Sequence, residues 1–412
     1  MGHFLITLLI LSMAIVSFGI DLNVEFEWKL AEYQWDNWQQ LETAIRDNNY
    51  QPKKCLLYDV TKADDGRIFI TLPREMGPGT PATLVTVSNE TCTRGPRLRP
   101  YPDWSCHNNT NCPCPGLISV YYTQIECDHL FVLDSGRNGT QQICNPKLVI
   151  FDLKTNKLVK RLYIPCDIAF NRTNSGVLTM PLVHIPGKCS QFLNEMIIFI
   201  SDKEGNGLVV YDASRRVMCR VESDYMKPTN PVFTIANETL TYPAGIYGMT
   251  IIGDELFYAP LAATKIYKMK IKDVLKCPDK NTANNQTKLA GTLKSQTSLI
   301  TSMEHVLFLN NIEDMTILGV DSSKQFNPED MVELVRDPKK LQAISGMKYS
   351  RNTDELLMVT DRFQRLFLGT LDEKEINFYY MKMKVQSIRE TTDLFYTTTT
   401  TTTPTTITTT TT

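Results

Sequence analysis

One strand pattern returns six times along the chain: a short polar turn, then a run of apolar, β-prone residues. The copies follow Asp65-Gly66, Asp128-His129, Asn194-Glu195, Asp254-Glu255, Glu304-His305 and Asp354-Glu355. Their first apolar residues are Ile68, Leu130, Met196, Leu256, Val306 and Leu356. Several continue through a second turn into a second strand, as in Ser201-Asp202-Lys203-Glu204-Gly205-Asn206-Gly207 before Leu208-Val209-Val210-Tyr211. Continuous apolar runs suit strands covered on both faces. Hairpins repeated every 50–60 residues or so are the sequence form of a β-propeller, whose blades need about four strands each. No long helical periodicity interrupts the series, and no Pro/Gly linker divides it into sandwich domains. The fold class predicted is all-β, a single six-bladed β-propeller over residues 20–390.

The two ends read differently. Phe4 to Phe18 is one uncharged apolar run ending in Ser17-Phe18-Gly19. It is shorter than the ~20 residues that cross a bilayer, and reads as a signal peptide over residues 1–19. No second long apolar stretch follows, so no membrane anchor is expected and the protein is expected to be secreted. Residues 391–412 are predicted to be a disordered tail. From Thr397 onward it is threonine broken only by Pro404 and Ile407, a mucin-like composition that cannot bury apolar surface.

Secretion gives meaning to two further counts. Sequons stand at Asn89, Asn108, Asn138, Asn171, Asn237 and Asn285, each an expected N-glycosylation site. Eleven cysteines are many for a reduced compartment, and in an oxidising one they should mostly pair, the odd one staying free or bridging chains. Cys106, Cys112 and Cys114 lie close together but lack the remainder of a zinc pattern, so no metal is assigned. With 43 basic against 45 acidic residues the chain offers no bulk charge for nucleic acid.

Several stretches, in order, go beyond periodicity. They are Phe26-Glu27-Trp28-Lys29, Leu98-Arg99-Pro100-Tyr101-Pro102-Asp103-Trp104-Ser105 and Cys127-Asp128-His129-Leu130-Phe131-Val132-Leu133-Asp134-Ser135-Gly136. After these come Pro146 to Leu153, Ile200-Ser201-Asp202 leading into Gly207 to Asp212, Gly245-Ile246-Tyr247-Gly248-Met249 and Asp361-Arg362-Phe363-Gln364. Together they resemble the yellow/major royal jelly protein family of insects, over roughly residues 26 to 385. The resemblance implies a secreted six-bladed propeller. Members include cuticle and eggshell pigmentation or hardening proteins, dopachrome-converting enzymes, royal jelly nutrients and salivary proteins that bind biogenic amines.

That resemblance implies a ligand pocket at the channel mouth. Ser345 takes a hydroxyl position, Phe363 the stacking ring, and Tyr247 a second wall. Asp361 stands where the family's Ser-Asn-x-Phe stretch has Asn; a carboxylate there favours a cationic amine, unless Arg362 neutralises it. The resemblance also implies a disulfide between Cys127 and Cys189. Cys112 or Cys114 is expected to pair with Cys92 or Cys106, and Cys106 and Cys166 to form bridges of this branch's own. The family's Cys-Trp pair in blade five is replaced by Ile317-Leu318-Gly319-Val320, and no cysteine follows Cys277. Ring closure is therefore expected to rest on strand pairing.

Catalytic signatures are sparse. Gly-x-Ser-x-Gly, His-Glu-x-x-His and the phosphate loop are absent, and no cofactor is implied. His107, His129, His184 and His305 read as turn or capping residues. Dopachrome tautomerisation needs only proton removal and return, for which Asp134, Asp202 and Asp361, each ending a repeat strand, are the candidates; as turn residues they would instead bind their own backbone. The expected partners are thus a small aromatic amine or catechol-derived ligand, or the proteins of an extracellular matrix.

Overall fold

The computed structural model describes residues 20–107 and 114–396. The segment expected to be a signal peptide, Asn108, Cys112 and the threonine tract from 397 lie outside them.

Six four-stranded antiparallel sheets form the ring. The innermost strands are Asp59–Lys62, Val120–Glu126, Leu178–His184, Ile246–Ile252, Ile300–Met303 and Ala343–Ser350, each packed beside the next around the channel. All six sequence copies turn out to be the second strand of their blade: Ile68–Thr71, His129–Asp134, Ile197–Asp202, Glu255–Pro260, Val306–Asn311 and Glu355–Asp361. Second strands lie between two sheet neighbours and between two blades, so both faces are dry; Ile197–Asp202 and Val306–Asn311 are buried at every position. The continuous apolar runs follow from that placement.

Among the described residues no disulfide closes the ring, and strand pairing does. Asn23–Trp28 pairs antiparallel with Phe378–Lys384, so the first strand completes the last blade. The C-terminal segment docks on blade five by packing. Leu394 is buried against Gly319, and Phe395 lies between the Phe308 ring and the Arg389 guanidinium, 4.0 Å from its centroid. Folded chain therefore runs to residue 396, past the expected boundary at 390.

Among the described residues three disulfides form: Cys127–Cys189, Cys114–Cys144 and Cys219–Cys277. The first is the pair implied by resemblance, and it ties blade two to blade three. The other expectations need correcting. Cys114 joins Cys144, because the chain entering blade two meets the loop between that blade's second and third strands, a contact no spacing reveals. Cys92, Cys106 and Cys166 are thiols, as is buried Cys55.

Cys127–Cys189 spans 62 residues. Cys189→Ser is expected to cost about 2–4 kcal/mol through the freed unfolded chain, read as a lower urea midpoint with a steeper slope, because the unlinked unfolded chain exposes more surface.

Candidate functional site

Four innermost strands bulge at the same level of the channel. The register slips between Val120 and Thr123, Leu178 and Pro181, Ile246 and Gly248, and Ile344 and Gly346. A bulge re-aims the extra side chain, and among the residues inside these slips are Tyr121, Tyr122, Tyr247 and Ser345. Gly248 and Gly346 end two of the slips for a steric reason: a Cβ there would stand 2.8 Å from Ile300 N and from Asp59 Cα of the adjoining blades.

The four residues expected to bind ligand come together. Tyr247, Ser345, Asp361 and Phe363 line one cavity at the channel mouth, with Tyr58, Tyr242 and Ser298. Beneath it the channel is plugged by tyrosines, Tyr122 lying 5.4 Å from Tyr58 and 5.9 Å from Tyr247 between ring centroids. The Tyr122 hydroxyl donates to the Ser345 carbonyl at 2.7 Å.

Asp361 is the acidic group of this cavity. It ends the second strand of blade six and is 2% exposed. One carboxyl oxygen accepts the Phe363 N–H at 2.7 Å; the other, Oδ2, is buried without a partner. Burial pushes its pKa up to about 7, against the smaller opposing pull of the Phe363 N–H and of the nearby Ser345 hydroxyl, which in this geometry donates instead to the Val359 carbonyl at 3.4 Å. Arg362 does not neutralise it, since its guanidinium turns to Glu375. Phe363 opens the short Phe363–Leu368 helix and stands in an aromatic group with Tyr242, 5.4 Å away, and Phe367, 5.8 Å away.

The other two candidate carboxylates are spent on structure. Asp134 accepts the N–H groups of Ile118, Ser119 and Gly136 and the Lys147 ammonium at 2.6 Å. Asp202 accepts Val177, Glu204 and Gly205 N–H and the Arg220 guanidinium at 2.8 Å. Each fastens the start of its own blade's innermost strand. His107 is likewise internal: its Nε2 lies 3.1 Å from the Tyr101 carbonyl oxygen, and burial, helped by Arg74, lowers its pKa to about 4. Of the described sequons, Asn89, Asn237 and Asn285 are exposed, while Asn138 and Asn171 are half-buried.

Two features of the site were not anticipated. A hairpin, Val232–Ile235 with Glu238–Thr241, caps the cavity and pairs with no blade. Its alternation turns Phe233, Ile235 and Leu240 inward, and its tip, Ala236-Asn237, has φ of 50° and 67°, as a tight primed turn needs. That alternation was readable in Phe233-Thr234-Ile235 and Thr239-Leu240-Thr241. The second is a buried cluster behind Tyr242. Its hydroxyl accepts from Lys203 at 2.7 Å and donates to Glu75 at 2.9 Å, while Lys203 bonds both Glu75 oxygens and Tyr121 also donates to Glu75. Burial raises the Glu75 pKa, but Lys203 and the two hydroxyls outweigh it and hold the group ionised.

The family described as major royal jelly protein matches residues 118–394. Major royal jelly protein 7 of Apis mellifera is 29% identical over 393 residues, 90% of this chain and 86% of that protein. Major royal jelly protein 8 of Apis mellifera is 28% identical over 391 residues, 90% of this chain and 92% of that one. Among solved structures, a luciferin-regenerating enzyme is similar at 8% identity and a TM-score of 0.46, over 88% of this chain and 95% of that one.

Proposed function

The chain belongs to the yellow/major royal jelly protein family, and from that premise we propose that it is a secreted propeller that binds a small aromatic amine at its channel mouth. The observation that carries this reading is the unpartnered Oδ2 of Asp361 in an aromatic-walled cavity. A buried carboxylate oxygen without a donor is costly to the protein alone. A ligand ammonium supplies the missing donor and charge, and its ring can pack against Phe363. The apolar run Phe4–Phe18 and the exposed sequons support secretion, with cuticle, eggshell or a glandular secretion as the setting. Calorimetry with dopamine and serotonin tests it: the proposal expects binding at or below millimolar ligand, and no heat from either would refute it.

Phe363→Ala is expected to weaken amine binding about tenfold. Aromatic stacking contributes about 0.5–1.5 kcal/mol beyond burial, and lost apolar contact adds to it. Unchanged affinity would remove the ring from the site.

Dopachrome conversion is the second reading, and one observation favours it. A carboxyl with a pKa about 7 is poised both to take and to return a proton near neutral pH. Loss of dopachrome absorbance, faster with wild type than with Asp361→Asn, would establish it; equal rates would dismiss it.

A further inference from the structure

As it stands, the cavity is too small for the ligand class its chemistry suits. Its volume is about 60 Å³, whereas an apolar cavity that holds benzene measures about 150 Å³. Something at the mouth must move, and the construction of the cap shows what. The Val232–Thr241 hairpin is a two-stranded sheet without a ladder to any blade, a form marginal by itself in water. Its stem is well fixed: Gln296 donates to the Asn230 and Val232 carbonyls, Thr229 and Asn230 N–H reach the Ala262 carbonyl, and Tyr242 is held by Lys203 and Glu75.

Its far end packs Ile235 inward over the cavity, and its polar tie across the mouth, to the Phe363–Leu368 helix of blade six, is weak. The ion pair there, Glu238 with Arg365, is long at 3.6 Å, with both side chains about a quarter exposed. Glu238 Oε2 and Arg365 Nε are both buried without a hydrogen-bond partner, and Arg365 is shared with Glu375 at 3.0 Å. The contact is imperfectly made on both sides, so breaking it forfeits little.

We propose that the Val232–Thr241 hairpin is a gate over the channel-mouth cavity, hinged at its stem and latched at its tip by Glu238 and Arg365, and that an aromatic amine enters only when the latch opens. The amine rests on the function proposed above; the opening of the hairpin does not.

The test uses the full-length protein and Glu238→Gln, which keeps the shape, leaves the Asn237 sequon intact and touches neither Asp361 nor Phe363. In wild type, hydrogen exchange should be faster at the amides of Val232–Thr241 than at those of the blade strand Glu255–Pro260. In Glu238→Gln the hairpin amides should exchange about threefold to tenfold faster again, with the blade strand unchanged. Stopped-flow mixing with serotonin should show association and dissociation accelerated by a common factor, the dissociation constant staying within about twofold. Hairpin amides as slow as the blade, or unmoved by the substitution, overturn the gate. Faster amides with unaltered serotonin rates also overturn it, since the hairpin would then open without controlling entry. If serotonin does not bind wild type at all, the amine reading fails, while exchange still decides whether the hairpin opens at its latch.

Discussion

Lys147→Met is expected to destabilise the protein by about 3–5 kcal/mol, the loss typical when one member of a buried ion pair is removed. Lys147 and Asp134 are both wholly buried, with the ammonium 2.6 Å from the carboxylate. Methionine fills much of the lysine's volume, so the effect isolates charge. The carboxylate left behind keeps three backbone N–H donors, from Ile118, Ser119 and Gly136, which hold it in place but carry no net charge to balance it. Those same bonds make a double substitution informative. Asp134→Asn with Lys147→Met removes both charges and keeps an acceptor for the backbone, so its cost should fall below the sum of the single costs. Urea titrations of the four proteins measure this. A Lys147→Met unfolding free energy within about 1 kcal/mol of wild type would mean that the pair does not rest on charge.

What the sequence made legible, and what it hid, divides along physical lines. The second strand of every blade is sealed on both faces and so writes itself as an uninterrupted apolar run. Outer strands do not: Leu158–Tyr163 is half open to solvent and contains Lys160 and Arg161, which no strand pattern singles out. Asp361, Phe363, Ser345 and Tyr247 were reached through motif resemblance, and the structure gathers them into one cavity. The bulges that aim Tyr247 and Ser345 into the channel leave no mark in composition. Nor does the contact between Glu75 and Lys203, which are 128 residues apart and meet only because the ring brings blades one and three to the same mouth. Asp134 and Asp202 show the opposite case. Placed like Asp361 at a strand end, they are told apart from it only by their partners, a lysine from the adjacent strand and an arginine from the outermost strand of the same blade.

Asp361→Asn is expected to move two measurements in opposite directions. Burial keeps the Asp361 carboxyl protonated up to a pH of about 7, while in the unfolded chain an aspartate releases its proton near 3.9. Between those values the folded state binds more protons than the unfolded one, so this residue's contribution to stability falls as pH rises through the window and levels off above it. Its full cost is on the order of 4 kcal/mol at pH 8, by about 1.4 kcal/mol per unit. Asparagine can keep the bond to Phe363 N–H without ionising. The variant should therefore be more stable than wild type at pH 8 and lose that advantage toward pH 4. Ligand binding runs the other way. An alkylammonium ligand stays charged throughout this range and needs the ionised carboxylate, so wild-type affinity should drop about tenfold for each unit below pH 7. Asparagine offers only a neutral oxygen. At pH 8 it should bind dopamine or serotonin at least about tenfold more weakly, the loss of a charge-assisted bond of roughly 1.5–3 kcal/mol, and should show no such pH dependence. Calorimetry and thermal unfolding at pH 5, 6, 7 and 8 on both proteins measure the two effects together. If the variant gains stability without losing affinity, Asp361 is a buried cost with no ligand to repay it, and the cation site must be sought elsewhere on the propeller.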